Sequence, residues 1–241
     1  MTEFKMPTEI VELPSKGYLY PESNPLSSGK VEMKYMTAKE EDILTNQSYI
    51  QNGTVLDKLL KSLIVSDIDY NDLIVGDKNA ILIASRVLGY GSDYNITYGD
   101  KSYTVDLTKV ENKTFDETVV QKGKNEFKYT LPASTVDITF KLLTHGDELK
   151  VTKELEGYKK INKDLIPELT TRLKFMITSV NGQTEPKVIR EFVDEHLLAR
   201  DSRALREYIK KVQPDVNLSY ELEDGLTIDI PINLSFFWPD A

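Results

Sequence analysis

The chain has 241 residues, of which 40% are hydrophobic and 29% charged, and its formal net charge is −9. This length supports one or two hydrophobic cores, and the acidic excess disfavours broad binding to nucleic acid or anionic membranes. The absence of cysteine excludes disulfides, thiolate catalysis and cysteine-ligated zinc. We expect a protein made and kept in a cytoplasm, since no signal-peptide core or run of 18 apolar residues occurs.

Residues 1–36 form an extended segment in this prediction. Turns are expected at Lys16-Gly17 and Ser28-Gly29, and strand-like apolar stretches lie between them. The prolines that interrupt any helix are Pro7, Pro14, Pro21 and Pro25, and the strand-like stretches are Ile10–Leu13, Tyr18–Tyr20 and Val31–Tyr35. We predict an N-terminal β arm over 1–36.

Residues 37–143 change from helical to strand periodicity. Thr37 and Glu40 are spaced as a capping box that opens a short helix. Apolar stripes predict further helices over 54–64 and 77–88, the second ended by the glycines of Gly89-Tyr90-Gly91. Alternating apolar residues then predict two hairpins, over 94–107 and 127–142.

Residues 144–241 return to helical spacing and finish with a third hairpin. Asp201 is expected to cap the last helix, which Pro214 ends. The predicted elements are helices over 150–160, 167–180, 186–197 and 201–213, a hairpin over 216–234, and an aromatic tail.

Strands that come in hairpins, separated along the chain from the helices, indicate an α+β fold rather than a parallel sheet. The predicted fold has antiparallel hairpins segregated from short amphipathic helices, with the N-terminal β arm and a C-terminal β-hairpin that carries the aromatic tail. We divide the chain into 1–36, 37–143 and 144–241, with the second boundary placed near the sequence Leu143–Gly146.

Catalytic residues are sparse. The chain has two histidines, and His145 with Asp147 and a serine such as Ser134 could in principle form a hydrolase triad. No nucleophile elbow or phosphate-binding loop accompanies them, so a turn beside a helix cap is favoured for His145. We therefore predict a protein that is not an enzyme, with no catalytic, cofactor-binding or metal-binding residues and no cofactor.

A basic cluster occupies the last predicted helix: Arg200, Arg203, Arg206, Lys210 and Lys211. Three interpretations stay open for this cluster. A solvated helix face is favoured, a nucleic-acid groove would need interleaved aromatic residues, and a protein–protein rim would use the enrichment of arginine at interfaces.

Two segments are candidates for partner binding. The chain ends in closely spaced aromatic residues, which must pack on the body of the protein or on a partner because their burial is strongly favourable. The proline-rich N-terminal motif is either a rigid surface turn or an arm that docks on another subunit. The predicted partner-binding residues are Leu13, Pro14, Lys16, Tyr18, Tyr20, Phe236, Phe237 and Trp238.

Three groups of segments together resemble the baseplate hub protein family of T-even-type contractile-tailed bacteriophages. The resemblance runs from about residue 9 to the end of the chain, so it covers nearly the whole sequence. The segments are Leu13–Gly17 with Thr37–Asn46, then Val55–Leu60, then Arg200–Arg206 with the terminal Phe236–Pro239.

The resemblance implies a role in building the central baseplate hub, as a minor subunit or an assembly factor, and implies no catalytic activity. The expected partners are other phage tail or hub proteins, with neither nucleic acid nor membrane. The expected location is the host cytoplasm during assembly, with the finished tail baseplate as a second location. Some relatives carry paired cysteines in the last hairpin, whereas Tyr220–Gly225 has none here, so metal binding by this hairpin is in doubt. The alternatives are a chaperone absent from the virion and a hydrolase that uses His145 and Asp147.

Overall fold

Short strands and helices alternate along the chain, which we describe from a computed structural model for residues 6–98, 101–161, 166–221, 225 and 227–237. The strands are β1 (Thr8–Glu12), β2 (Lys30–Lys34), β3 (Asp93–Tyr98), β4 (Lys101–Asp106), β5 (Phe127–Thr130), β6 (Asp137–Phe140), β7 (Ile177–Val180), β8 (Ser219–Glu221) and β9 (Thr227–Asp229). The α-helices are α1 (Ala38–Leu44), α2 (Gln47–Gln51), α3 (Val55–Leu63), α4 (Val75–Tyr90), α5 (His145–Ile161), α6 (Glu168–Met176), α7 (Pro186–Glu191) and α8 (Ala199–Val212).

All strand pairs in the described residues are antiparallel, so the predicted α+β class is confirmed. β1 pairs with β2, β3 with β4, and β8 with β9, while β5, β6 and β7 form a three-stranded sheet in that order. The three predicted hairpins are present. In the N-terminal arm, β1 pairs with β2, and the loop between them contains the predicted turns at Lys16-Gly17 and Ser28-Gly29. The helix α2 lies in a stretch for which no element was predicted.

The end of one predicted helix is wrong. Apolar spacing extended the helix after Pro167 to Val180, whereas α6 ends at Met176 and the next four residues form β7. Residues with β-branched side chains are common in this stretch, and its backbone completes the sheet by pairing with β6. The hydroxyl of Thr178 also lies 2.7 Å from that of Thr139 on β6, so the pairing satisfies polar side chains as well.

A second correction concerns Tyr18–Tyr20, which form turns and not a strand. The backbone N–H of Tyr18 donates to the carbonyl of Ser15, and that of Tyr20 donates to the carbonyl of Gly17. Lys16 and Gly17 both have positive φ, and a Cβ at Gly17 would lie 2.2 Å from the carbonyl oxygen of Ser27. Only glycine fits this close approach, so the motif folds into a tight loop between β1 and β2.

The predicted capping box at Thr37 is confirmed, and its glutamate has further partners. The Glu40 carboxylate is fully buried and accepts hydrogen bonds from the backbone N–H and hydroxyl of Thr37. It also accepts from Lys34 Nζ at 2.9 Å and from Ser62 Oγ at 2.8 Å. One side chain therefore connects β2, the start of α1 and the end of α3.

These contacts predict how stability depends on pH. Burial raises the pKa of Glu40, but the hydrogen bonds from Thr37, Lys34 and Ser62 outweigh burial and lower this pKa to about 2. A carboxylate with a lowered pKa stabilises the fold above its unfolded pKa of 4.5, and this contribution is lost as the pH falls towards 2. We expect Glu40→Gln to lower the free energy of unfolding by about 3 kcal/mol at pH 7, with a loss that shrinks towards zero near pH 2.

Urea unfolding followed by circular dichroism between pH 7 and pH 2.5 measures this difference. The matched control is Glu41→Gln, since Glu41 is the exposed neighbour on the same helix. A Glu40→Gln variant that loses no more stability than the control at pH 7 would contradict the prediction.

Buried side chains from all three predicted segments form a single hydrophobic cluster. It includes Leu13 and Leu26 from the arm, Leu59 and Ile81 from the central helices, and Leu205 from α8. The division of the chain into three segments at residues 36 and 143 stays a prediction. The three segments share one hydrophobic core.

Two predicted helix ends are also corrected. Helix α4 continues through Gly89 to Tyr90 and ends at Gly91 alone, which has φ of 84°. Helix α8 begins at Ala199, so Asp201 lies inside its first turn and does not cap it. The buried Asp201 carboxylate instead accepts hydrogen bonds from the backbone N–H groups of Ala133 and Ser134, which fixes the turn before β6.

Candidate interaction site

The N-terminal motif is folded onto its own chain. Leu13 is 1% exposed and Tyr20 4% exposed, and Pro14 is also buried. These three side chains are therefore covered by the chain itself, and their role in partner binding stays a prediction. Lys16 and Tyr18 are accessible, and both face a neighbouring loop of the same chain.

That neighbouring loop provides polar contacts for both accessible side chains. Lys16 Nζ lies 2.6 Å from a carboxylate oxygen of Glu117, and Lys122 Nζ lies 4.5 Å from the centre of the Tyr18 ring. The Lys16 side chain is 59% exposed, so this ion pair is solvated and contributes little to stability. These contacts favour the interpretation of the motif as a rigid surface turn.

A buried aspartate on α4 anchors the same motif from inside. Asp77 Oδ1 accepts from the backbone N–H of Ser15 at 2.9 Å, and Oδ2 accepts from the Ser15 hydroxyl at 2.7 Å and the Tyr20 hydroxyl at 2.6 Å. Burial raises the pKa of Asp77 to about 6, although the hydrogen bonds from Ser15 and Tyr20 oppose this rise. The polar residues of the motif are thus satisfied within the chain.

The aromatic tail is packed on the body of the protein as far as the structure describes it. Phe236 and Phe237 are both 0% exposed, so the chain itself covers these rings, and their role in partner binding stays a prediction. The Phe236 ring lies 5.0 Å from the ring of Tyr94, and its carbonyl accepts a hydrogen bond from Arg86 Nε at 3.0 Å. Trp238, the third predicted residue of this tail, lies outside the described residues.

The two residues of the hydrolase hypothesis belong to separate polar clusters. His145 begins α5, where Nε2 lies 3.5 Å from Asp57 and Nδ1 lies 3.2 Å from Lys78 Nζ. Asp147 instead accepts from Lys141 Nζ at 2.6 Å and from the Thr144 hydroxyl. His145 and Asp147 therefore contact different partners, and among the described hydrogen bonds none joins either side chain to Ser134 as the disfavoured triad would require.

The cluster around His145 is a separate set of polar residues that the sequence did not indicate. Asp57 also accepts from Tyr70 and Lys78, so residues from α3, α4 and α5 meet at its carboxylate. Burial, reinforced by the positive charge of Lys78, lowers the pKa of His145 and favours its neutral form. The contacts connect three helices, which accounts for the cluster structurally.

Within the part of the chain that the structure describes, we find neither a metal-ligating cluster nor a membrane-spanning helix. Within the described ranges, no three or more His, Cys, Asp or Glu side chains are grouped so that they could hold a metal ion. Among those same residues, no helix has both the length and the apolar character that crossing a lipid bilayer requires.

An open cleft of about 470 Å³ lies between α6 and α8, beside the first turn of α4. Most of its floor consists of buried apolar side chains, and Leu169 at the start of α6 remains 44% exposed. The apolar side chains are Ile74, Val75, Leu142, Leu143, Leu169, Leu173, Met176 and Ile209. A concave apolar surface of this size is typical of a binding site.

The rim of the cleft is charged and mainly basic. Four basic and two acidic side chains contribute to it: Arg172, Arg203, Arg206, Lys210, Glu148 and Glu207. Arg172 pairs with Glu148 and with Glu168, and Arg203 pairs with Glu207. Within the described residues, neither Arg206 nor Lys210 has a carboxylate at ion-pair distance, so two cations are available at the rim.

This rim clarifies the basic cluster seen in the sequence. Arg203, Arg206 and Lys210 line the cleft, whereas Arg200 and Lys211 do not. The cluster is therefore divided between the rim of the cleft and a solvent-exposed face of α8, and the protein–protein and nucleic-acid interpretations stay hypotheses. The apolar floor could not be found from the sequence, because Leu142 and Ile209 look like ordinary core residues until α6 and α8 are placed side by side.

Comparison of the chain with protein-family models, curated proteins and solved structures gives no match.

Proposed function

We propose that this chain acts in assembly of the central hub of a contractile phage-tail baseplate, as a minor subunit or an assembly factor that works through protein–protein contacts. The observation that carries the proposal is the set of segments that resemble the hub family, which occur in order along nearly the whole chain. The expected partners are other hub or tail proteins, in the host cytoplasm during assembly.

The geometry supports a binding role in two ways. The cleft between α6 and α8 is open and apolar, and its rim carries cations that can pair with carboxylates of a partner. The residues considered for catalysis, His145 and Asp147, are engaged in contacts that connect helices and strands. A protein that binds a partner without catalysing a reaction needs such a cleft and needs no catalytic group.

The segments that resemble the hub family stabilise the fold through internal contacts, and they do not themselves form an evident contact surface. Ser15 is bonded to Asp77, Glu40 connects three elements, and Asp201 fixes the turn at Ala133. These residues hold the chain in shape, so the shared segments are expected to preserve the fold while other surfaces contact the partner.

Mass spectrometry of purified phage, combined with a pull-down of the tagged chain from infected cells, tests the proposal. We expect hub proteins to copurify with the chain. Presence in the finished virion would identify a subunit, and copurification without presence in the virion would identify a chaperone. A chain that copurifies with no tail protein and is absent from virions would contradict the proposed function.

A further inference from the structure

The cleft between α6 and α8 combines an apolar floor with a basic rim in a chain whose net charge is −9. We propose that this cleft binds an acidic amphipathic segment of a partner protein, with apolar side chains in the floor and carboxylates at Arg206 and Lys210. The inference rests on the proposed function, since it identifies the surface through which the chain contacts another protein.

The floor selects for apolar side chains. A cavity of about 150 Å³ holds a benzene ring, so a cleft of about 470 Å³ accommodates about three apolar side chains of that size. Leu169 adds exposed apolar surface at the mouth, and Ile166, three residues earlier, is 43% exposed. Burial of this surface by a partner would remove it from water, which is favourable.

The rim selects for negative charge. Arg172 and Arg203 already have carboxylate partners, and Arg206 Nε donates to the carbonyl of Ser202 on its own helix. Lys210 Nζ has no carboxylate partner within the described residues. Carboxylates of a bound segment would pair with Arg206 and Lys210 at the edge of an apolar groove, which is how amphipathic helices dock.

The lining favours a protein segment over nucleic acid. No aromatic side chain lines the cleft within the described residues, whereas single-stranded nucleic acid is bound by stacking of its bases on aromatic rings. The apolar floor would also offer a phosphate backbone neither hydrogen-bond donors nor charge. A segment with leucine-like side chains on one face and carboxylates on the other satisfies both parts of the cleft.

Fluorescence anisotropy with a labelled model peptide tests the inference on the full chain. The probe is a synthetic helical peptide of about 18 residues with leucine on one face and glutamate on the other, and its twin has lysine in place of glutamate. We expect the acidic peptide to bind, more weakly as salt is raised, and the basic twin not to bind.

Matched pairs of variants locate the binding site. Lys210→Glu and Leu169→Glu are expected to weaken binding about tenfold or more, because each removes a contact and adds a repelled or poorly solvated carboxylate. The controls Lys211→Glu and Leu149→Glu change exposed residues that do not line the cleft, and are expected to change affinity by less than about twofold. Thermal unfolding checks that all four variants remain folded.

The outcomes separate the cleft from the hub role. The inference would be overturned if the acidic peptide does not bind, or if the Lys210 and Lys211 variants lose equal affinity for it. Tighter binding of a single-stranded oligonucleotide at the same residues would also overturn it. If hub proteins still copurify with the Lys210→Glu and Leu169→Glu variants, the cleft is not the contact surface. The inference would then be overturned, and the proposed function would stand. Specific peptide binding in the cleft together with no copurifying tail protein would support the cleft and contradict the hub role.

Discussion

Replacement of Phe236 by alanine is expected to lower the free energy of unfolding by about 3–5 kcal/mol. The side chain is fully buried, with its ring 5.0 Å from the ring of Tyr94 and 5.5 Å from that of Phe237. Truncation removes this apolar surface from the core and leaves a cavity that the neighbouring rings fill only in part. Urea unfolding of the variant and the original chain, followed by far-ultraviolet circular dichroism, measures the difference.

Ser235→Ala is the matched control, since Ser235 is the exposed neighbour and bonds only to Asn233 among its described contacts. We expect its unfolding free energy to stay within about 0.5 kcal/mol of the original. A Phe236→Ala variant as stable as this control would show that the tail is not part of the core. Removing residues 236–241 would also remove two buried rings, so a loss of partner binding by such a truncation could not be told apart from a loss of folding.

Asp77→Ala is expected to lower the free energy of unfolding by about 3 kcal/mol or more. The substitution removes the acceptor of three buried donors, the N–H and hydroxyl of Ser15 and the hydroxyl of Tyr20. Each buried donor left without a partner costs about 1–3 kcal/mol. Because burial raises the pKa of Asp77 to about 6, unfolding is measured at pH 7.5, where the carboxylate is ionised and accepts all three bonds.

Two further variants serve as comparisons for the stability loss of Asp77→Ala. Asp77→Asn keeps one oxygen that can accept from Ser15, so its loss should be smaller than that of the alanine variant. Asp42→Ala removes an exposed aspartate of α1 and should change stability by less than about 0.5 kcal/mol. The anchor role of Asp77 would be contradicted by an alanine variant that loses no more stability than Asp42→Ala.

Local patterns in the sequence were sufficient for most elements. The capping box at Thr37, the apolar stripe of α3 and the alternation of the hairpins each depend on neighbouring residues, and all three predictions are confirmed. The predictions failed where a distant partner decides the outcome. Ile177–Val180 fits a helical stripe, and it becomes a strand because β6 offers a free edge for pairing.

The candidate partner-binding residues show the same division more clearly. Apolar composition correctly indicated that Phe236 and Phe237 must be covered, since their exposure to water is unfavourable. Composition could not tell whether a partner or the chain itself covers them, and in the fold they lie in the chain's own core. Likewise, the basic residues of α8 became a cleft rim only when α6 and the Leu142–Leu143 segment were packed beside them.

The sequence by itself determined the α+β class, the positions of most helices and hairpins, and the need to bury the aromatic tail. These properties follow from periodicity, capping and apolar content, which act over a few residues. Only the tertiary structure decided which apolar side chains are core and which are accessible, which carboxylates anchor the arm, and where a cleft opens. Those outcomes depend on contacts between residues far apart in sequence, such as Ser15 with Asp77 and Arg86 with Phe236, which no local pattern encodes.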